Sequence, residues 1–281
     1  MIRKRPSHDQ RTEEQVRRHY EVEKELATRL REAPKGQRAS LYAMVYDELF
    51  QRVLDHPQLT RPINPTAADR IVEDKMRLLR PFLGPDTTFL ELGAGDCRLA
   101  LRVAREVMKT YALEVSLEVT KNVDPPPNFE LVISSGTDIP VPKGSINVAY
   151  SYQLMEHIHP EDAVEQLRNI YDVLAPNGIY ICITPNRLSG PHDISRYFDR
   201  LASGFHMREY TLHELDPLFR SVGFRETYAY VGIRGRFTKI PIWLIAGLER
   251  SLSILPWGYW SNVSELPGVR HLLMAAIVAT K

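Results

Sequence analysis

Apolar residues recur in two rhythms along the chain, and the rhythm changes near residue 85. Before that point, they return every three or four residues over 13–31, 41–53 and 66–83, a spacing typical of helices. The first segment carries so many charges that we interpret it as a solvated surface helix. Residues 1–84 are therefore predicted to be a helical extension that caps the remainder of the chain.

After residue 85, short apolar runs alternate with helical patterns, with helices predicted over 96–108 and 161–174 and another opening at a capping box on Thr211. This alternation is typical of parallel strands joined by crossover helices. Residues 85–281 are therefore predicted to be one α/β domain. Its predicted strands are 88–92, 110–115, 130–133, 146–151, 178–184, 224–231 and 272–279.

Two segments interrupt this alternation. Residues 186–210 are too long and too rich in polar and aromatic groups for a simple connector, so we assign them to an acceptor pocket. Residues 235–270 contain an apolar run that ends at Glu249 and Arg250 and is too short to cross a bilayer. Three roles stay open for that run: packing on the sheet, a homodimer surface, or a wall for a lipophilic substrate or a membrane surface.

Composition narrows the function classes. Thirty-six Lys and Arg oppose 35 Asp and Glu, so no broad field attracts nucleic acid, and no nucleic-acid partner is expected. The two cysteines, Cys97 and Cys182, show no paired spacing that indicates a disulfide framework or zinc. With no secretory signal and no membrane span, the chain is predicted to be cytoplasmic.

The clearest chemical signal lies at residues 89–98, where an apolar strand meets a glycine turn and then a helix. Gly93 and Gly95, which flank Ala94, let backbone amides approach a ligand closely. A dinucleotide fingerprint fails because Arg98 occupies its last small-residue position. Glu91 would repel a pyrophosphate but can balance the ammonium group of an amino-acid ligand. The turn therefore indicates a nucleoside-like or zwitterionic ligand.

A second acidic residue strengthens this interpretation. Glu114 ends the next predicted strand, 21 residues after Gly93, where it can accept both hydrogen bonds of a ribose diol. Val115 follows it, and Glu118 is a competing candidate just beyond the strand. The order of strand, glycine turn, helix, strand and acid predicts a nucleoside site.

These residues resemble the first two motifs of class I S-adenosylmethionine-dependent methyltransferases, and the likeness extends over residues 86–223. Residues 134–146 are similar to the loop after strand three, and 148–158 to strand four with its Glu-His-Ile sequence. Pro176-Asn177-Gly178 resembles the turn before strand five, in which Gly178 is expected to take a positive φ. The resemblance implies a Rossmann-like seven-stranded, mainly parallel sheet with helices on both faces and an antiparallel last strand. It also implies S-adenosyl-L-methionine as cofactor and S-adenosyl-L-homocysteine as product.

The resemblance also implies roles for single residues. The family usually has an acidic residue to hold adenine where this chain has Ser135, so Gly136, Thr137 or Asp138 is expected to supply the contact. Cys97 replaces the third glycine of the first motif. The cofactor residues implied are Glu91 at the methionine end, Gly93, Ala94 and Gly95 at the turn, Glu114 and Val115 at the ribose, Ser135, Gly136 and Thr137 at the adenine, and Ser151, Tyr152 and Gln153 near the transferred methyl group.

Candidate catalytic residues follow from the acceptor. A hydroxyl acceptor needs a base or a metal to remove its proton, and His157, His159 and His206 are the candidate bases. The competing roles are a structural hydrogen bond for His157, solvent exposure for His159 and loop structure for His206. No metal site is predicted, because His192, Asp193 and His206 match no dense ligand spacing.

The sequence thus predicts methyl transfer to a small-molecule acceptor, with a hydroxyl oxygen favoured. In-line placement and exclusion of water would supply most of the acceleration. An aminopropyl transferase on the same fold would need a carboxylate-rich pocket after strand four, which residues 151–154 lack. A non-catalytic module that binds the cofactor or a protein partner is the alternative from another class.

Overall fold

Eight strands form one sheet in the computed structural model, which describes residues 9–60, 65–115, 120, 125–233, 235–256, 259, 263–264 and 266–281. Their order across the sheet is β3-β2-β1-β4-β5-β8-β6-β7. Neighbours among the first five pair in parallel, whereas β8 runs antiparallel to both β5 and β6. The strands are β1 (Thr88–Leu92), β2 (Lys109–Glu114), β3 (Phe129–Ile133), β4 (Ile146–Tyr152), β5 (Leu174–Ile183), β6 (Glu226–Ile233), β7 (Arg236–Ile240) and β8 (Ala276–Thr280).

The prediction of a Rossmann-like, mainly parallel sheet is confirmed, but the predicted count of seven strands is wrong. The additional strand, β7, forms an antiparallel hairpin with β6 at the edge of the sheet. It has no fully buried position, so its apolar signal is weak. The last strand also starts later than predicted, because residues 267–273 form a helix.

Helices cover both faces of the sheet, as predicted. Leu90 and Leu92 of β1 face one core, and Phe89 faces the other. The helices are α1 (Glu13–Glu32), α2 (Lys35–Arg52), α3 (Pro57–Thr60), α4 (Pro65–Leu79), α5 (Arg98–Val103), α6 (Pro160–Val173), α7 (Leu212–Val222), α8 (Ile242–Ile254) and α9 (Pro267–Leu273), with 3₁₀ turns at Arg80–Phe82, Met155–His157, Arg187–Ser189 and Ile194–Tyr197.

Helix α1 is not the solvated helix that its charges suggested. It begins at a capping box formed by Thr12 and Gln15 and buries an apolar stripe that includes Val16 and Leu26, both 0% exposed. His19 and Glu23 belong to the same buried stripe, and these polar members hid its period in the sequence. The helix contacts α2 and the segment 194–197.

The turn that opens β5 needs glycine for a different reason from the one predicted. Asn177 has the positive φ, 63°, whereas Gly178 does not. A Cβ atom on Gly178 would lie 2.8 Å from the carbonyl oxygen of Ala175 and 2.9 Å from that of Ile146. Close backbone packing therefore requires glycine at this position.

The apolar segment of α8 is divided between packing and exposure. Ile245 is buried, whereas Trp243 is 70% exposed. Glu249 is buried and accepts hydrogen bonds from the Asn186 side chain and from the first amides of α7. Within the described ranges, each helix is too short or too polar to cross a membrane.

Candidate functional site

The glycine turn follows β1 and runs directly into α5. Gly93, Gly95 and Cys97 have φ values of 68°, 55° and 59°, so three left-handed residues alternate along the turn. A Cβ atom on Gly95 would meet no atom within 4 Å, so the turn is open there. Helix α5 has only six residues, shorter than predicted. An open turn lined by backbone fits a ligand that must approach the main chain closely.

Glu114 lies across this turn. One oxygen of its carboxylate accepts the amide hydrogen of Gly95 at 2.8 Å, and the other accepts that of Val115 at 2.8 Å. The pairing of β1 with β2 brings the turn and Glu114 together, although Gly95 and Glu114 are 19 positions apart in sequence. The competing residue, Glu118, lies outside the described residues.

Glu91 occupies the face of the sheet that α4 and α5 cover. It is 4% exposed, and burial raises the pKa of its carboxyl group to about 8 despite the opposing charge of Lys75. One of its oxygens has no hydrogen-bond partner among the described residues. A buried carboxylate with a free oxygen fits a nearby ammonium group.

The loop after β3 lies against helix α2. Asp138 accepts hydrogen bonds from the amide and the hydroxyl group of Ser135, so the nearest acidic side chain is held within the loop itself. A Cβ atom on Gly136 would lie 3.0 Å from the ring of Tyr42 in α2. Thr137 adds a carbonyl that accepts from Asn169. The loop thus lies between α2 and the end of β3, beside Glu114.

The three residues predicted near the transferred methyl group point in different directions. Ser151 is 0% exposed and its hydroxyl group lies 2.8 Å from that of Tyr180. Tyr152 lies on the opposite face, where the Lys75 ammonium sits 4.1 Å from its ring centroid. Gln153, with a φ of 56°, faces a cavity. Strand pleating therefore directs Tyr152 away from this cavity, and the Ser151 side chain is buried beside Tyr180. Their position near the transferred methyl group stays a prediction.

That cavity, which we name the cap cavity, has a volume of about 410 Å³. It is lined by residues of helices α1 and α2, of the segment after β4 and of 186–210, and the role of 186–210 as an acceptor pocket stays a prediction. Among the lining residues are His19 of α1, Tyr46 of α2, Gln153 and His157 after β4, and His192 and His206 of 186–210.

The consecutive residues Gln153 and Leu154 link the cap cavity to the glycine turn. A Cβ atom on Gly93 would lie 3.2 Å from the side chain of Leu154, the residue after Gln153. The chain that leaves β4 therefore contacts the turn with one residue and the cavity with its neighbour. A ligand on the turn and a second molecule in the cavity would be neighbours.

Two of the three predicted histidines line the cap cavity. The Nδ1 atom of His157 lies 3.1 Å from the carbonyl oxygen of Phe205, and burial lowers the pKa of this imidazole to about 3. The Nδ1 atom of His206 lies 2.7 Å from a carboxylate oxygen of Glu209. Burial lowers the pKa of His206, but the bond to Glu209 and nearby carboxylates outweigh burial, so the net shift is upward.

The third predicted histidine has another role. The ring of His159 accepts the amide hydrogen of Glu161 and caps α6, and it does not line the cap cavity. A cap at the helix start explains the position of His159, so the cap cavity offers no support for its predicted catalytic role.

The structure also assembles groups that the sequence did not single out. Glu156, His157 and His206 place three ligand-type atoms within 4.8 Å of one another, and so do His19, Glu23 and His56. Spacings of three or four residues link His19 to Glu23 and His206 to Glu209, a signal that could have suggested both pairs. The remaining partners meet only through the fold.

The fold and the turn together define the class of this chain. A family model described as a methyltransferase domain matches residues 65–228, more than half of the 281 residues. The chain belongs to this family, and its sheet and glycine turn are those of a class I S-adenosylmethionine-dependent methyltransferase. The predicted cofactor, S-adenosylmethionine, is confirmed at this level, and the open turn, Glu91 and Glu114 fit it.

Individual relatives are more distant. A probable S-adenosylmethionine-dependent methyltransferase of Mycolicibacterium smegmatis is 26% identical over 136 residues, which cover 48% of this chain and 51% of that protein. A protein of the same description from Mycobacterium tuberculosis is 28% identical over 138 residues, 48% and 47% of the two chains. The chain thus spans about half the length of these curated relatives. A crystal structure of a SAM dependent methyltransferase from Archaeoglobus fulgidus is 17% identical, covers 75% of this chain and 94% of that one with a TM-score of 0.52, and shares the fold.

Proposed function

We propose that this protein transfers a methyl group from S-adenosylmethionine to a hydroxyl oxygen of a small molecule in the cap cavity. The observation that carries the proposal is the contact of Leu154 with Gly93 beside the cavity-lining Gln153, which makes the turn and the cavity neighbours. A volume of about 410 Å³ falls within the range of small-molecule sites, roughly 300–1,000 Å³. Polar walls favour a polar acceptor.

The cofactor would supply an electrophilic methyl group on its sulfonium. Glu91 would balance the ammonium at the methionine end, and the backbone of Gly93 to Gly95 would lie against the bound molecule. Glu114 would exchange its bonds to the amides of Gly95 and Val115 for bonds to the ribose. The adenine would lie at residues 135–137, beside the cap. Residues 1–84 would then act as a cap on a cofactor domain formed by 85–281.

The acceptor would be held by the walls of the cap cavity. His157 is uncharged at neutral pH because burial lowers its pKa to about 3, so it can accept a hydrogen bond from a hydroxyl group. Glu209 orients His206 through Nδ1, which leaves Nε2 to accept a proton from a hydroxyl group. Helices α1 and α2 would exclude water and keep the hydroxyl in line with the methyl group.

Aminopropyl transfer is less well supported. Two carboxylates that line the cavity are already engaged: Glu23 by His19 and the amide of Phe205, and Asp193 by backbone amides of its own segment. A polyamine acceptor would need free carboxylates. Both cysteines are buried and unpaired, which fits the proposed reducing, cytoplasmic location. The exposed Trp243 supports a homodimer or surface association through α8.

Calorimetric titration with S-adenosylmethionine, S-adenosylhomocysteine and NAD tests the proposal. We expect micromolar binding of the first two and none of NAD. Glu114→Ala should weaken binding at least about tenfold, since it removes a charge-assisted hydrogen-bond acceptor. Glu32→Ala, at an exposed carboxylate, is the matched control. Phenols, sugars and lipids would then be screened as acceptors. Binding of NAD alone, or equal affinity in both variants, would contradict the site assignment.

A further inference from the structure

We infer that Glu156, His157 and His206 bind a divalent metal ion of the Zn²⁺, Fe²⁺, Co²⁺ and Mn²⁺ group, and that this ion receives the acceptor's hydroxyl oxygen. Metal binding stands on the geometry alone, whereas the role in methyl transfer rests on the proposed function. The three side chains lie where the segment after β4 meets residues 186–210.

The side chains of Glu156, His157 and His206 converge on one point. One ligand-type atom of each side chain lies within 4.8 Å of those of the other two, and the two imidazole centroids are 4.8 Å apart at an interplanar angle of 84°. Two imidazoles and one carboxylate form a common set for borderline divalent metals, whereas Mg²⁺ and Ca²⁺ prefer oxygen ligands throughout. Three protein ligands leave coordination positions open, as catalytic metal sites do.

Both imidazoles are hydrogen-bonded through Nδ1. The Nδ1 atom of His157 lies 3.1 Å from the carbonyl oxygen of Phe205, which can only accept, and 2.9 Å from the hydroxyl oxygen of Tyr46, which can accept as well. A hydrogen on Nδ1 is compatible with both contacts, whereas a bare Nδ1 would face the lone pairs of the carbonyl. The Nδ1 atom of His206 is likewise bonded to the carboxylate of Glu209. The Nε2 atoms of both rings have no hydrogen bond among the described residues, and each lone pair is left for a ligand. Metal-binding histidines usually bond in this way to a carbonyl or a carboxylate through the other nitrogen.

The carboxylate of the cluster is buried. Glu156 is 0% exposed, and one of its oxygens accepts from the Thr184 hydroxyl at 2.8 Å. The other oxygen is buried and has no hydrogen-bond partner within the described part of the chain. Such an oxygen is costly to bury, and a cation would compensate for the loss of solvation.

The proposed metal site opens onto the cap cavity. His157 and His206 line the cap cavity together with Gln153, so open coordination positions would face the proposed acceptor. A divalent cation lowers the pKa of a bound hydroxyl group. The O–H bond then breaks with the proton passing to water, and the oxygen bonds to the methyl carbon. The C–S bond breaks with its electron pair retained by sulfur, so charge and atoms balance without a protein base.

Metal binding can be measured without any acceptor. Chelator-treated protein is titrated with Co²⁺, whose visible absorption reports the ligand set, and with Zn²⁺ by calorimetry. We expect one equivalent to bind. Glu156→Gln, which retains an oxygen for Thr184, should weaken binding at least about 100-fold. Glu209→Gln, which changes the carboxylate that His206 shares with the amide of His192, should weaken it about 10- to 100-fold. His56→Gln changes another histidine of the same cavity and should leave the affinity unchanged.

The outcomes separate the two levels of the inference. No binding to wild-type protein that still binds S-adenosylmethionine overturns the metal site and leaves the proposed function standing. Equal metal affinity in wild type and Glu156→Gln also overturns it, provided that circular dichroism shows both folded. Metal binding with the expected losses, but without chelator-sensitive methyl transfer to any hydroxyl acceptor, supports the site and contradicts its role in the reaction.

Discussion

Two clusters of histidine and glutamate border the same cap cavity, and their hydrogen bonding differs. In the cluster of His19, Glu23 and His56, one nitrogen of His19 accepts from the guanidinium of Arg11 at 2.8 Å and the other bonds Glu23 at 2.9 Å. The second oxygen of Glu23 accepts the amide hydrogen of Phe205 at 2.9 Å. His19 and Glu23 are therefore already hydrogen-bonded on both sides. The guanidinium of Arg11 also places a positive charge against the cluster, which disfavours a metal ion.

The cluster of Glu156, His157 and His206 has the opposite arrangement. Its members are bonded on their outer sides, to Thr184, Phe205 and Glu209. Among the described residues, the second oxygen of Glu156 and the Nε2 atoms of both imidazoles have no hydrogen-bond partner. The residue types are the same in both clusters. The hydrogen-bond partners of the side chains, rather than their proximity, therefore separate a structural cluster from a ligand site.

The largest expected effect concerns stability. Glu23→Ala should lower the free energy of unfolding by about 3 kcal/mol, because it leaves a buried histidine and a buried amide without their partner. Glu156→Gln should stay within about 1 kcal/mol of wild type in metal-free protein, since one oxygen there has no partner to lose. Urea denaturation of both variants measures the difference. Equal losses of unfolding free energy in the two variants would contradict the distinction between a structural cluster and a ligand site.

A second effect is a pH dependence of stability that arises from His56, in the cluster of His19, Glu23 and His56. Burial lowers the pKa of His56 to about 4, with further effects from His19, Glu23 and Arg11. The unfolded state therefore binds more protons between pH 6.5 and 4, so this stabilisation is present above pH 6.5 and is lost as the pH falls. We expect His56 to account for about 2 kcal/mol of that loss.

The measurement compares urea denaturation of wild type and His56→Gln at pH 7.5, 6 and 5. The difference in free energy of unfolding between the two proteins should change over this interval, because only wild type has the His56 imidazole. The other buried groups titrate equally in both proteins and cancel. A constant difference would show that His56 is not held in its neutral form.

The smallest expected effect concerns His159. His159→Ala should lower the free energy of unfolding by about 0.5–1 kcal/mol, because it removes the side-chain cap of α6. Its affinity for Co²⁺ should equal that of wild type, although His159 stands only two residues from His157. Weakened Co²⁺ binding in this folded variant would enlarge the proposed ligand set and contradict the geometry of the cavity.

The cofactor turn could be predicted from the sequence, since its evidence is local. An apolar strand, Gly93 and Gly95 follow one another within a few residues, and the acid at Glu114 ends the next strand of the pattern. The structure brings Glu114 to Gly95 at 2.8 Å through the expected parallel pairing. Adjacent strands of a parallel sheet end at one edge, so their terminal residues meet there with little dependence on the other elements.

The direction of the side chains after β4 could not be predicted in the same way. Ser151, Tyr152 and Gln153 are consecutive, yet one enters the core, one faces α4 and one reaches the cap cavity. The left-handed φ of Gln153 ends the regular alternation of the strand, and no glycine marks that change in the sequence. Strand β7 and the buried stripe of α1 were missed because polar residues interrupt their apolar period.

By itself, the sequence determined the α/β class, the five parallel strands and the glycine turn, because short-range patterns of burial and backbone freedom encode them. Only the tertiary structure decided which polar side chains share a cavity and which of their atoms remain unbonded. Glu156 and His206 are 50 residues apart, and Glu23 reaches Phe205 across 182 residues. Contacts over such separations depend on how whole elements pack, and hydrogen-bond partners are allocated only when that packing is complete.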